Sequence, residues 1–375
     1  MNAKKHCKKV PRVLHVVPGF RSGGIESLLM SLYSCLDKKK LQFDFMVDTY
    51  EELPEFDEIR ASGGRVFQMG RYLDSLVGYH CNLNKVFKKY GNEYVALHIH
   101  AIDRAFPVIW AARKYNISQK ILHAHTDSLQ GDRFVLIKAF IARVTVLLAT
   151  DYWACSEAAG RFFFGRRACK VSKNTIQTER FAFNPNDGAS VRELLGIKQN
   201  ALVIGHTGRF TYQKNHAWII KVFSELHRFR SDARLLLVGD GPLQPEIQDL
   251  VVELGLKKVV FFVGLKKDVA PYLSAMDVFL LPSHNEGFCI SLLEAQANGL
   301  RSLAYDVIPD EVQVTSSIIT CAADASVSEF VKSLLHLHQL GRADSASNIA
   351  LIREAGCDSK LQADSLPALY NIKQL

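Results

Sequence analysis

The chain has 375 residues, 48% hydrophobic and 22% charged, which is long enough for two domains with ample cores and too apolar for a disordered chain. Its 46 Lys and Arg against 38 Asp and Glu leave a net charge of +8, favouring an anionic partner such as phosphate, a lipid surface or nucleic acid. Eight scattered cysteines with no C-x-x-C pair fit reduced thiols of a cytosol better than a disulfide framework, and no nucleic-acid-binding module accompanies the charge.

The first segment, MNAKKHCKKVPRVLHVVPGF, is basic; its short apolar stretch reads as a strand closed by Pro18-Gly19, so a signal peptide is not expected. Strand candidates in the first half are Arg12–Val17, Phe43–Val47, Val66–Gln68, Val95–His100, Ile121–Ala124 and Tyr152–Ala154. The first runs into PGFRSGGIE, where Gly19, Gly23 and Gly24 would let backbone and helix-start amides approach an anion. The spacing is not the dinucleotide fingerprint, and a structural turn accounts for it equally well. VALHIHAID and ILHAHTDS put His98, His100, His123 and His125 at alternating positions near two strand ends, which raises a metal site as one reading. With no nearby cysteine or H-E-x-x-H to complete a set, no metal is expected, and hydrogen-bonded structural histidines are the expectation for the inner ones. His125, at its strand end before Thr126 and Asp127, is better placed to meet a ligand. The run FVLIKAFIARVTVLLA (134–149), interrupted by Lys138 and Arg143, is too short to span a bilayer and reads as a core helix or one lying on a membrane surface.

The second half offers strands at Leu202–Gly205, Arg234–Val238, Val259–Val263, Val278–Leu281, Ser302–Ala304 and Ile318–Thr320. Near-continuous apolar runs alternating with helical stretches predict doubly wound parallel α/β sheets. About twelve strands is roughly twice what one such sheet holds, so two similar domains are expected, with the seam near Phe181–Asn200. The resulting division is 1–182, 183–354 and a last helical segment, 355–375, interrupted by Pro367. Ligands of such sheets bind beyond the carboxyl ends of the strands, so two of them facing each other would form a cleft lined by post-strand loops.

The loops of the second half carry the chemistry. GHTGRFTYQKN places Arg209 and Lys214 after Gly208 and before a helix, a pairing suited to a diphosphate. VGDGPLQPEI repeats the glycine theme with Gly239 and Gly241. VFLLPSHNEGFCISLLEAQANG reads strand, loop, helix: Glu286 in the loop can accept from sugar hydroxyls, and Gly287 permits close approach. The amides of Phe288 and Cys289 fall at the helix start, and Glu294 could reach ribose hydroxyls from the helix side.

Together these segments resemble the retaining glycosyltransferase family 4 of the GT-B type, in which two Rossmann-like doubly wound parallel-sheet domains face each other across a cleft. Glu286 and Glu294 match its E-x7-E motif, GRFTYQKN its G-R-x-x-x-x-K-N loop, VGDGP its V-G-x-G-P turn, and SGGIE its N-terminal glycine loop. DYWACSEAAGRFFFG is similar to the D-x-x-x-x-S segment that closes the first domain. The likeness departs at Asn174-Thr175, where the family often has Asn-Gly, and fades between Ser316 and Ala355. GGIESLLMSLY, IRASGGRVFQM and IPDEVQVT look most like transferases of bacterial capsule and exopolysaccharide synthesis.

The resemblance implies that the N-terminal domain binds acceptor and the C-terminal domain binds donor, with the last helix returning to the first domain. It implies that Arg209 and Lys214 neutralise the donor diphosphate, with Gly23, Gly24, Gly208 and Gly239 nearby. Glu286 and the Gly287–Cys289 backbone would hold sugar and phosphate, Glu294 the ribose, Val263 to Leu265 the base, and His125 the sugar pocket. The expected reaction is retaining transfer of a hexosyl or N-acetylhexosaminyl residue from a UDP-linked donor to a glycan or polyprenyl-diphosphate-linked acceptor. No D-x-D occurs, so no metal cofactor is expected. The basic stretch Arg161, Arg166, Arg167, Lys170 and Lys173 would hold a cytoplasmic protein peripherally on the anionic inner face of the membrane. Rival readings are a nucleotide-sugar 2-epimerase, a phosphorylase of the same plan, or a non-catalytic nucleotide-sugar-binding subunit.

Overall fold

The structure is a computed structural model that describes residues 9–20, 24–70, 72, 74–102, 105–125 and 135–372, the side chains of 135–140 excepted. It divides into two compact units, Met1–Asn174 with Ser359–Leu375, and Thr175–Asp358.

Unit 1 comprises β1 (Arg12–Val17), α1 (Gly24–Cys35), β2 (Gln42–Val47), α2 (Pro54–Ala61), β3 (Val66–Gln68), α3 (Leu76–Tyr90), β4 (Tyr94–Ile99), α4 (Ala105–Ala112), β5 (Gln119–Ala124), α5 (Val135–Leu148), β6 (Asp151–Ala154), α6 (Glu157–Phe164) and β7 (Lys170–Val171). Unit 2 comprises α7 (Pro185–Leu194), β8 (Val203–Thr207), α8 (His216–Phe229), β9 (Arg234–Val238), α9 (Gln244–Glu253), β10 (Val260–Phe262), α10 (Ala270–Ala275), β11 (Val278–Leu281), α11 (Ile290–Ala297), β12 (Arg301–Tyr305), β13 (Ile318–Cys321), α12 (Val327–Gln339) and α13 (Ser345–Glu354). The chain then adds α14 (Ser359–Leu369) to unit 1.

Both sheets are parallel. Their orders are β3-β2-β1-β4-β5-β6-β7 and β10-β9-β8-β11-β12-β13. Each starts at its centre, winds one way, then crosses over and winds the other, so each has one switch point: β1/β4 in unit 1 and β8/β11 in unit 2. Strands β2, β8 and β11 are buried at every residue, as parallel strands covered on both faces must be. Phe43, Phe45, Tyr33 and Phe56 fill the core of unit 1, and Phe210, Ile219, Phe223 and Phe330 that of unit 2.

Three expectations need correction. The units meet in the chain at Asn174/Thr175 and Asp358/Ser359, not at 182/183 and 354/355. Ile176 pairs with Asp358, and the Thr178 hydroxyl donates to the Asp358 carboxylate at 2.6 Å, so both connecting segments are tied into unit 2. The seam segment is largely α7, whose start is capped by the Asn184 side chain accepting from Asn186 and Asp187 amides; its Asn and Pro mark a helix start rather than a linker. Pro367 lies inside α14, which continues to Leu369, so it does not interrupt the helix. The two-residue β7 is too short to show a pattern.

Candidate functional site

Unit 2 brings its predicted residues together for a topological reason. The loop 208–215 follows β8 and the loop 282–289 follows β11; these strands are neighbours at the switch point, so their carboxyl-end loops must adjoin. The His284 amide donates to the Gln213 carbonyl and the Gln213 side-chain amide donates to the Asn285 carbonyl, both at 2.8 Å. The Lys214 ammonium donates to Glu286 Oε1 at 2.6 Å, with side-chain exposures of 16% and 5%. Burial alone would lower the lysine pKa; the negative potential of Cys289 and Glu286 outweighs it, and the net shift is upward. Lys214 therefore carries full charge at neutral pH. Arg209 is exposed, and its side chain has no hydrogen bond or ion pair among the described residues.

Two helices begin at these loops, α8 from Asn215 (φ 53°) and α11 from Cys289 (φ 57°). Both starting residues are left-handed and neither side chain caps its helix, which leaves first-turn amides without a side-chain acceptor. The expected start of the second helix at Phe288 moves to Ile290; Phe288 and Cys289 are buried below the loop, and Gly287 is half-buried.

The turn after β9 packs against the same loop. Gly239, at φ 137°, sits where a Cβ would meet the Gly208 carbonyl at 2.1 Å, and a Cβ on Gly241 would meet the Phe210 backbone at 2.6 Å. Close backbone packing thus explains both glycines. Glu294 lies on α11 facing the Arg180–Asp268 pair (3.2 Å); burial raises its pKa to about 8, with Arg180 pulling down and Asp268 pushing up. Val263 is half-buried and Leu265 is 55% exposed.

Several polar groups at this site were absent from the sequence expectations. His206 Nδ1 lies 2.8 Å from the Leu280 carbonyl, a contact that requires the proton on Nδ1 and leaves Nε2 as a buried, unpaired acceptor. His216 stacks on Phe210 at 3.9 Å with both ring nitrogens buried and unpaired. Burial first, and the charge of Lys214 with it, hold His206 down to about 3 and His216 to about 2, so both rings are neutral. The Thr207 and Ser283 hydroxyls are likewise buried without partners. A polar Gly-His-Thr at the end of an apolar strand was the available signal.

In unit 1, β1, β4 and β5 and the residues directly after β4 and β5 bring five histidines together: His15, His98, His100, His123 and His125. His15 Nδ1 meets His100 Nε2 at 3.0 Å, His100 Nδ1 meets His125 Nε2 at 2.7 Å, and His98 Nε2 meets His123 Nδ1 at 3.0 Å. His98 Nδ1 meets the hydroxyl of Tyr370, directly after α14, at 2.7 Å. Burial drives all five rings toward the neutral form. Gly24 opens α1, whereas Gly23, Thr126 and Asp127 lie outside the described residues. None of the described cysteines is in a disulfide, and no helix among the described residues is long and apolar enough to cross a membrane.

Comparison with known proteins agrees with this architecture. Residues 201–339 match the family described as glycosyl transferases group 1. EpsF of Bacillus subtilis (strain 168), named as a glycosyltransferase, is 30% identical over 377 residues, covering 96% of each chain. The Escherichia coli UDP-Gal:alpha-D-GlcNAc-diphosphoundecaprenol alpha-1,3-galactosyltransferase is 31% identical over 140 residues, 36% of each chain. The fold matches Anabaena HepE, crystallised with UDP and glucose, at a TM-score of 0.77 and 19% identity, over 96% of this chain and 99% of that one. With two Rossmann-like parallel-sheet domains of the GT-B fold and a full-length relative of this kind, the chain belongs to the group 1 glycosyltransferases and is a glycosyltransferase.

Proposed function

We propose that the chain transfers a hexosyl or N-acetylhexosaminyl residue, with retention, from a UDP-linked sugar to a glycan or polyprenyl-diphosphate-linked acceptor during surface-polysaccharide synthesis. The observation that carries this reading is the 2.6 Å Lys214–Glu286 pair at the switch point of unit 2, beside the exposed Arg209 and two uncapped helix starts. A charged lysine tied to a buried carboxylate is a poised exchange: the donor diphosphate takes the ammonium, and Glu286 turns to the sugar hydroxyls. The names of EpsF and of the E. coli galactosyltransferase support the reaction class and the lipid-linked acceptor.

In this mechanism Arg209, Lys214 and the amides at Gly287–Cys289 stabilise charge that develops on the departing diphosphate. That is the work a divalent ion performs in metal-dependent transferases, so transfer proceeds without one. Attack comes from the face the diphosphate leaves, and a phosphate oxygen takes the acceptor proton. Glu294 holds the ribose, Val263 and Leu265 flank the base, and His125 has the role the resemblance gives it, contact with the transferred sugar. We assign peripheral association with an anionic membrane surface, on the cytoplasmic side, to α5 and α6. Leu147 and Phe162 are exposed there at 70% and 51%, and a cavity of about 190 Å³ is lined by Arg161, Arg166 and Arg167.

The test is turnover of the best UDP-sugar, as transfer or donor hydrolysis, in Lys214→Ala. Loss of one stabilising cation should raise the barrier by about 2–4 kcal/mol, roughly 10²–10³ in kcat. Near wild-type turnover would remove Lys214 from the mechanism.

A further inference from the structure

We propose that His100, His123 and His125 of unit 1 form a binding site for one divalent transition-metal ion such as zinc. His123 lies in β5, and His100 and His125 directly follow β4 and β5, beside the β1/β4 switch point where sheets of this kind hold their ligands. One nitrogen from each lies within 4.8 Å of the other two. A tetrahedral zinc at about 2.0–2.1 Å from each nitrogen needs them about 3.4 Å apart, a change within reach of small side-chain rotations.

The surrounding bonds already aim the rings. His15 engages His100 Nε2 and His98 engages His123 Nδ1, while His100 Nδ1 and His125 Nε2 bond each other at 2.7 Å; an ion would take the unpaired His123 Nε2 and replace the His100–His125 hydrogen bond. Outer-shell partners on the opposite ring nitrogen are how metal-binding histidines are commonly oriented. His123 Nε2 and His125 Nδ1 are buried without a hydrogen-bond partner, a cost that coordination or a bound water would offset.

Electrostatics chooses between two overlapping triads. His15, His98 and His100 also approach within 4.8 Å, but all three are fully buried and would enclose a dication among neutral rings. That desolvation has no anion to balance it. His125 is only part-buried, so the chosen triad lies nearer the surface than the other and needs less desolvation of the ion. Occupancy would engage His125 and so inhibit transfer; this consequence, unlike binding, rests on the role proposed for His125 above.

The test titrates the intact, chelator-treated protein with Co²⁺ and then displaces it with Zn²⁺. One equivalent should develop the strong visible absorption of a four-coordinate, nitrogen-rich site. In His123→Gln, which keeps a polar side chain, that absorption should vanish and affinity should fall at least tenfold, on the order of an outer-shell loss or more. If the thermal midpoint shows that this variant does not fold, His125→Gln, at the part-buried strand end, replaces it. Octahedral-type absorption only, or binding unchanged in the variant, would overturn the site and assign the ion to surface histidines such as His336 and His338. Tight four-coordinate binding without inhibition would leave the site standing and remove His125 from the proposed chemistry. Failure to bind metal, with Lys214→Ala still inactive, would sink the site alone.

Discussion

Glu294 is where burial and function pull hardest against each other. An exposed glutamate ionises near 4.5, whereas this one, desolvated on α11, holds its proton to about 8. Between those values the native state binds a proton the unfolded chain has released, so its contribution to stability declines as pH rises through that window. If the carboxylate accepts ribose hydroxyls, donor binding favours the ionised form and expels the proton. UDP affinity should then strengthen between about pH 7 and 9, by up to tenfold per unit below the pKa, with proton release visible by calorimetry in buffers of different ionisation enthalpy. Glu294→Gln should abolish that release; release unchanged in the variant would place the ribose elsewhere. The acidic pair of this site was legible from spacing around a strand–loop–helix. The neutral His206 and His216 were not, because nothing local to them shows that β11 and the turn after β8 bury them beside Lys214.

At the scale of elements, the strands were readable wherever both faces are buried, as in RLLLV of β9 and VFLL of β11. Short β7 and the polar α7 were not, since two residues have no period and α7 buries few side chains. Gly239 and Gly241 were legible as glycines that matter, but the sequence could not say that they matter for the Gly208–Phe210 backbone. The last helix illustrates a tie that only folding reveals: Tyr370, 272 residues from His98, supplies its 2.7 Å partner, and Ser359 meets Ser31 at 2.6 Å. Tyr370→Phe leaves a buried imidazole nitrogen unpaired and should cost about 1–3 kcal/mol of stability, read as a lowered denaturant midpoint at unchanged m-value. An unaltered midpoint would mean that apolar packing alone holds α14.

For the whole molecule, the net charge of +8 is not spread evenly in its consequences. The arginines around the α6 cavity, with exposed Phe162 and Leu147, predict that the protein floats with anionic liposomes and not with neutral ones. Added salt should weaken the association, and indifference to lipid charge would refute the membrane assignment. The rest of the account depends on diphosphate recognition in unit 2. Its most direct test is calorimetric titration of wild type and Lys214→Ala with UDP and, separately, with uridine. The expected result is a loss of UDP affinity of about tenfold or more, the scale of one charge-assisted contact, with uridine binding unaltered. Equal UDP affinity in both proteins, or parallel losses for UDP and uridine, would contradict a diphosphate held by Lys214.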